Sequence, residues 1–360
     1  MYSYVKRNEG KVMEHYLDNS ATTKVSQKAA EKAFEIMTEN YGNPSSLHLR
    51  GMYAEQELVK ARKEVAGRLG ATADEIYFTS GGTEANNLAV FGVAEAKKRR
   101  GRRIVVSAVE HSSIMESAKK LEDNGFDVVR IMPREDGTIH KEDVLENVDE
   151  NTILVYVICH TDAVQAFGKI SLSASKLHAD LISVSGHKIH APKGVGAIFV
   201  KKGVRLVPMH YGGEQEKKLR PGTEAIPLIA AMGVACSEFN IDKNYGYVSK
   251  LNSYAKDKLL KIDGVVLNSP ENALPYVLNI SAGKVRSETM LHFLENLEVY
   301  VSSGSACAKG KPSYVLESMN IGRDRADSAL RISFSKLNTE EDIDALCEGI
   351  EKGLKTLAHK

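Results

Sequence analysis

The stretch "SVSGHKIHAPKGVGAIFV", residues 183–200, sets His187, Lys188 and His190 between a strand ending at Ser183–Ser185 and a glycine-bearing turn. Side chains of these types could form a zinc site, a phosphate loop or a covalent attachment point. Zinc through His187 and His190 would need a third ligand and a helix presenting both rings on one face. Here the pair sits in a turn before Pro192, which argues against a metal. A lysine flanked by Ser185 and His187, with an aspartate at an earlier strand end, suits a covalent aldehyde cofactor. Lysine forms a Schiff base with an aldehyde, and an aspartate under a pyridine nitrogen keeps that nitrogen protonated as an electron sink.

Further candidates occupy equivalent places along the chain. Ser80-Gly81-Gly82-Thr83 follows "EIYFT" and opens a helical stretch, so its backbone N–H groups and the Thr83 hydroxyl could hold a phosphate. Glu110 and His111 follow "IVVSAV", Asp162 and Gln165 follow "VYVICHT", and Ser185, His187 and Lys188 follow "DLISV". Taken singly, each has an ordinary reading: a Gly-Gly-Thr turn often only starts a helix, and a lone histidine is usually a satisfied core or surface residue. Their shared position is the stronger signal, because ligands of open α/β sheets sit at the carboxyl ends of the strands.

The elements that must position these residues alternate. "VSQKAAEKAFEIM" and "AEQELVKARKEVAGRLG" carry helical periodicity, the second stopped by Gly70. Short apolar strands and helices then follow one another to about residue 245, which predicts a mainly parallel sheet with helices on both faces. From there the pattern loosens into a long polar helix, the strands "YVLNIS" and "ALRISFS", and a final helix "TEEDIDALCEGIEKGLKTL". The expectation is an α/β chain with a large domain over 14–245 and a smaller α+β domain over 246–360, the latter joined by an N-terminal arm, 1–25. One place breaks the alternation. "NTILVYVICHTDAVQAFGK" runs one apolar strand into the next, although neighbouring parallel strands need a crossover of about a dozen residues. Either these residues form one long strand or a βα unit is missing.

Composition excludes several classes. A formal net charge of +1 gives no general case for nucleic acid or a membrane surface as partner. The run "KKRRGRR", residues 97–103, reads as a solvated helix C-terminus favoured by the macrodipole rather than a docking patch. Four cysteines without any CxxC spacing make neither a disulfide framework nor a structural zinc site. No apolar run approaches the roughly 20 residues that span a bilayer, and "MYSYVKRNEGKVM" lacks the apolar core of a signal peptide. A cytoplasmic protein with reduced thiols is expected.

The motifs "LDNSATT", "YGNPSSLH", "FTSGGTEANN", "EHSSI", "HTDAVQAFGK", "SGHKIHAPKGVG", "RPGTE" and "SSGSAC" resemble, in order, those of the cysteine desulfurases that serve iron–sulfur-cluster assembly and nitrogen fixation. The resemblance runs from about residue 16 to the final helix. It implies an aminotransferase class V enzyme of fold type I, dependent on pyridoxal phosphate and working as a homodimer. By that resemblance Lys188 looks like the Schiff-base lysine, Asp162 the partner of the pyridine nitrogen, and Gln165 a donor to the phenolic oxygen. His111 would stack on the ring and help move protons. Gly82, Thr83, Ser185 and His187 would bind the phosphate, with Thr223 reaching across from the other subunit. Asn43 and Arg331 would hold the substrate carboxylate, Arg331 by a bidentate pair. Cys307 resembles the catalytic cysteine. Its surroundings, "SSGSACAKGKPS", are small and polar, and Lys309 and Lys311 would favour the thiolate. The implied reaction converts L-cysteine to L-alanine, with sulfur held as a persulfide on Cys307. An iron–sulfur scaffold or a tRNA-thiolation enzyme would be the acceptor. The other three cysteines read as small core residues.

Departures from the family pattern are local. Between "TILVYVI" and "HTDAVQ" the family carries an Asn-Asn-Glu loop, a helix and the start of the next strand; none of these is present here. The asparagine absent from this chain is one that helps the family hold the phenolic oxygen and the substrate carboxylate. A segment omitted between Ile158 and Cys159 is expected rather than a true deletion, since deleting a crossover leaves its neighbours without a permitted parallel connection. Pro221 stands where the family has serine, which stiffens the loop before Thr223. Two other readings share this scaffold. A selenocysteine lyase is disfavoured by the Ser-Gly-Ser-Ala-Cys loop, and a non-catalytic scaffold for sulfur-transfer partners is disfavoured by intact Lys188, Asp162 and Cys307.

Overall fold

Ser26 opens the first long helix, Gln27–Thr38, by accepting the Ala29 N–H on its side chain. Ala29, Ala33 and Ile36, spaced by three or four residues, form its buried stripe. The second helix, Leu49–Leu69, ends where Gly70 takes a φ of 59°, a left-handed cap that glycine adopts without a Cβ penalty. Both helices pack with Ile226–Ser237 against one face of the strands Ile76–Thr79, Leu181–Ser185 and Gly196–Val200. Helices Gly82–Lys97 and Ser112–Asp123 form a second apolar cluster with Ile104, Val128, Ile153, Leu181 and Ile198. Each fully buried leucine or isoleucine in these clusters contributes roughly 1.5–3 kcal/mol.

The computed structural model describes residues 13–154, 158–303 and 313–357. They fall into two units, one of Thr22–Tyr245 and one of the described residues up to Ala21 together with those from Gly246 onward. In the second unit, strands Ser302–Ser303, Ala329–Ser333, Val277–Ala282 and Val265–Leu267 form an antiparallel sheet in that order. Its core gathers Leu278, Ile280, Leu330 and Ile332 with Ile343, Leu346 and Ile350 of the last helix, Glu340–Thr356. The chain start belongs to this unit: His15–Tyr16 pairs in parallel with Val299–Tyr300.

The strands of the larger unit make two sheets. One is wholly parallel, in the order Asp127–Ile131, Arg103–Ser107, Thr152–Leu154. The other runs Ile76–Thr79, Gly196–Val200, Leu181–Ser185, His160–Asp162, with only the last pair parallel. The break falls between Thr152–Leu154 and His160–Asp162. Each of these strands has a ladder on one side only among the described residues, and they do not pair with each other. Five residues, 155–159, separate them in sequence, too few for a helical crossover. Among the described residues, Thr152–Leu154 and His160–Asp162 stand in different sheets, with Ile158 at a bend.

The basic run behaves as a helix end: Lys98, Arg99 and Arg100 are exposed, and Arg103 pairs with Asp127 and Asp149 at 2.6 Å each. Cys236 and Cys347 are core residues, and burial raises both thiols, Cys347 to about 11. Cys159 departs from the expectation of a core position. It is half-buried beside Asp180, whose carboxylate accepts its backbone N–H at 3.0 Å.

Candidate active site

The carboxyl end of strand Leu181–Ser185 leads into a tight turn, Gly186–Lys188, so Ser185, His187 and Lys188 leave the sheet together. Beside them the helix Gly82–Lys97 begins at Gly82, with Gly81 as a cap residue that supplies no side-chain hydrogen bond. Uncapped N–H groups at a helix start favour an anion. Ser185 faces them. Its Oγ is buried with no hydrogen-bond partner among the described residues, and a Cβ built on Gly82 would lie 3.6 Å from Ser185 Cβ. Close packing holds the turn in place: a Cβ on Gly196 would sit 2.7 Å from Gly81 Cα, so only glycine allows the adjoining strand this near. An orphaned hydroxyl against an uncapped helix start is a donor set without its acceptor, and a phosphate group fits it.

His187 is tied down rather than charged. Its Nδ1 is 3.2 Å from Thr22 Oγ1, and its carbonyl accepts from Thr23 through both the backbone N–H and Oγ1. Burial, then the positive charges of Lys188 and Lys193, hold its imidazole down at about 4. His190 turns away, with Nδ1 2.9 Å from the carbonyl of Lys24. The two rings therefore serve different partners, and among the described residues no group of three or more histidine, cysteine, aspartate or glutamate side chains could hold a metal ion.

At the next strand end, Asp162 is fixed from two directions. Its Oδ1 accepts the Val164 N–H at 2.9 Å and its Oδ2 accepts Asn86 Nδ2 at 2.7 Å. Gln165, one turn on, accepts Lys169 Nζ on Oε1 at 2.8 Å. His160, two residues before Asp162, lies with Nε2 2.9 Å from Ser183 Oγ; burial lowers its imidazole to about 4, against the pull of Asp162. Glu110 is held above the usual carboxylate range by burial and then by the charge of Asp162. His111 is the N-cap of Ser112–Asp123, with Nδ1 accepting the Ser113 N–H at 3.1 Å.

Asn43 is exposed, and its Oδ1 accepts the Ser45 N–H at 2.9 Å. Thr223 lines an open cavity of about 490 Å³ with Glu84, Tyr211, Gln215 and Arg220. Arg220 pairs with Glu84 at 3.0 Å, and Glu84 also accepts the Ser80 N–H, so that cavity adjoins the start of the Gly82–Lys97 helix. Arg331, in the other unit, donates from Nη2 to Asp18 at 2.9 Å, and its buried Nε has no partner among the described residues. Cys307, with Lys309 and Lys311, lies outside the described residues. Asn86, Ser113 and Asp18 went unread as site residues. Asn86 had a signal, being a polar residue among Ala85, Leu88, Ala89 and Val90 on a buried helix face.

The chain resembles known proteins along nearly its whole length. The chain matches the family described as aminotransferase class-V over residues 15–160 and 156–346, two stretches that overlap at 156–160. It is 34% identical over 372 residues to the cysteine desulfurase IscS of Methanosarcina thermophila, covering 95% of this chain and 92% of that protein. A putative cysteine desulfurase, IscS 1 of Bacillus subtilis, is 37% identical over 376 residues, covering 95% and 99%. Both alignments are longer than the 360-residue chain, so the relatives carry residues with no counterpart here. A solved NifS-like protein superposes with a TM-score of 0.90 at 34% identity, covering 96% of this chain and 100% of its own. The chain belongs to the aminotransferase class-V family, within its group of IscS- and NifS-type cysteine desulfurases.

Proposed function

We propose that this chain is a pyridoxal-phosphate-dependent cysteine desulfurase that takes sulfur from L-cysteine, leaves L-alanine and carries the sulfur on Cys307 to an acceptor protein. The observation that carries the reading is Ser185 Oγ, buried without a partner against the uncapped start of helix Gly82–Lys97. Held there through Lys188, the cofactor supplies an electron sink that weakens bonds at the substrate's carbon skeleton.

The chain's own residues do the rest. Gly82, Thr83 and Ser185 bind the phosphate group, and His187, held neutral, adds a hydrogen bond rather than a charge. Asp162, locked by Val164 and Asn86, presents its carboxylate to the pyridine nitrogen, and Gln165 serves the phenolic oxygen. Asn43 and Arg331 hold the substrate carboxylate, and the unpartnered Nε of Arg331 is suited to that work. The Cys307 thiolate attacks the substrate sulfur. An S–S bond forms as the C–S bond breaks, the electron pair stays on carbon, and a proton delivered there completes the methyl group of alanine. His111 moves protons in this sequence.

Thr223 reaches across to the site of a second copy. Exposed Phe34, Met37, Leu47, Leu49 and Met52, along the ends of the first two helices, support a covered apolar face and so a homodimer. Among the described residues no helix is long and apolar enough to cross a membrane, in keeping with work in the cytoplasm on an iron–sulfur scaffold or a tRNA-thiolation enzyme. A second reading, a cofactor-binding scaffold without turnover, draws on the break between the sheets. Alanine formation from L-cysteine separates the two. Cys307→Ser should keep the bound cofactor and lose sulfur transfer; sulfide release at the native rate by that variant would remove Cys307 from its role.

A further inference from the structure

A chain of hydrogen bonds joins Asp162 to His111 through Asn86, which the desulfurase reading uses only to fix Asp162, and Ser113, which it does not use. Asn86 Nδ2 donates to Asp162 Oδ2 at 2.7 Å and to Ser113 Oγ at 2.9 Å. Ser113 Oγ is in turn 2.8 Å from His111 Nδ1. Asn86 and Ser113 are buried, 1% and 8% exposed, so water does not compete for these groups.

Donor counting fixes the direction of every bond. The Asp162 carboxylate only accepts, so the amide must turn its NH2 toward it; the Asn86 Oδ1 left on the other side is buried without a partner. Both amide hydrogens are then committed, one to Asp162 and one to Ser113. Ser113 Oγ, already accepting, has one hydrogen, and His111 Nδ1 is its acceptor. The Ser113 backbone N–H reaches the same nitrogen at 3.1 Å. A ring nitrogen that accepts from two donors carries no hydrogen, so the proton of the neutral ring sits on Nε2. His111 is exposed, which leaves Nε2 open to a bound molecule.

We propose that Asn86 and Ser113 are positioning residues that hold His111 in the tautomer protonated on Nε2 while Asn86 orients Asp162. The inference rests on the reading of His111 and Asp162 as residues that face the cofactor. Its chemical consequence is insulation. A carboxamide does not ionise, so no proton passes between Asp162 and His111 along this path, although the two are held by one side chain. His111 exchanges protons through Nε2 alone, and the charge on Asp162 stays where the pyridine nitrogen needs it.

Nitrogen NMR of the full-length, cofactor-loaded protein labelled with 15N-histidine reads the tautomer directly, with His111 assigned by the signal lost in His111→Gln. The wild-type ring should be protonated on Nε2 and bare on Nδ1; a ring protonated on Nδ1 overturns the proposal. Ser113→Ala should give a mixed tautomer population and lower kcat by roughly three- to tenfold with little change in KM, as expected for one neutral hydrogen bond. Ser113→Thr, which keeps the hydroxyl, should restore both. Asn86→Leu should in addition displace the pH dependence of the cofactor's visible band, because Asp162 loses a charge-assisted bond. If Asn86→Leu does not fold, the serine pair carries the test. A Ser113→Ala protein with wild-type tautomer, kcat and pH profile overturns the proposal. An inactive wild-type protein with the Nε2 tautomer would instead count against the desulfurase reading and leave the positioning role of Asn86 and Ser113 standing.

Discussion

The guanidinium of Arg331 donates to Asp18 through Nη2 at 2.9 Å and leaves its buried Nε–H without a partner among the described residues. Asp18 thus fixes the plane of the group from one side. A free N–H on a planar, oriented guanidinium is half of a fork for a second carboxylate. Lysine keeps the charge but not the fork. Arg331→Lys should raise KM for L-cysteine roughly ten- to a hundredfold, the worth of a hydrogen bond to a charged group, with cofactor retention unchanged. Steady-state kinetics at several cysteine concentrations decide it, and an unaltered KM would take Arg331 out of substrate binding.

Ser185 allows a prediction with two opposite halves. Its Oγ makes no hydrogen bond within the described residues, so Ser185→Ala costs the cofactor-free protein no internal bond and should leave its unfolding midpoint in urea unchanged or slightly higher. Cofactor affinity should fall, by about tenfold for one lost bond to a charged phosphate. Titration of cofactor-free protein followed by visible absorbance measures the second half. Unchanged affinity would mean that the hydroxyl does not serve the phosphate.

The break in the sheet should be visible in solution. Among the described residues, strands Thr152–Leu154 and His160–Asp162 are each laddered on one side, whereas Leu181–Ser185 is paired on both. Singly paired strands open at lower free energy. Hydrogen exchange read by mass spectrometry should show the two short strands exchanging well before Leu181–Ser185. Equal protection across all three would mean that the two sheets are continuous in solution.

Much of this site was legible because its residues follow the ends of apolar strands. Gly82, Thr83, His111, Asp162, Ser185 and Lys188 all sit there, where backbone geometry concentrates ligand contacts. The shortness of the stretch between Leu154 and His160 stood out in the sequence, since strand lengths and crossover lengths are set by the backbone. Partnerships across distance were not. Asn86 and Asp162 are 76 residues apart and Arg331 and Asp18 are 313 apart, and no local pattern announces either pair. The division into two sheets was equally hidden, because an apolar strand reads the same whether one or both of its edges are paired.

Acid should weaken the fold through His160. Burial holds its imidazole near 4 against an ordinary 6.5, so between those values the unfolded chain binds more protons than the folded one. The stability that neutral His160 contributes is therefore complete above the ordinary value and declines as pH falls toward the lowered one. The decline is at most about 1.4 kcal/mol per pH unit. His187, lowered to about 4 as well, adds a decline of the same sign. His160→Asn should make unfolding free energy less steep over that window, even if it lowers the value at neutral pH through the lost Ser183 bond. Parallel slopes for variant and wild type would contradict the assignment.

The central claim is turnover, and the direct measurement is alanine released from L-cysteine by the purified protein supplied with pyridoxal phosphate and a reductant. Alanine in many-fold excess over enzyme, abolished in Lys188→Ala, is the predicted result. A yellow protein that binds the cofactor and makes no alanine would contradict it, and would mean that the short join between Leu154 and His160 costs the chain its catalysis.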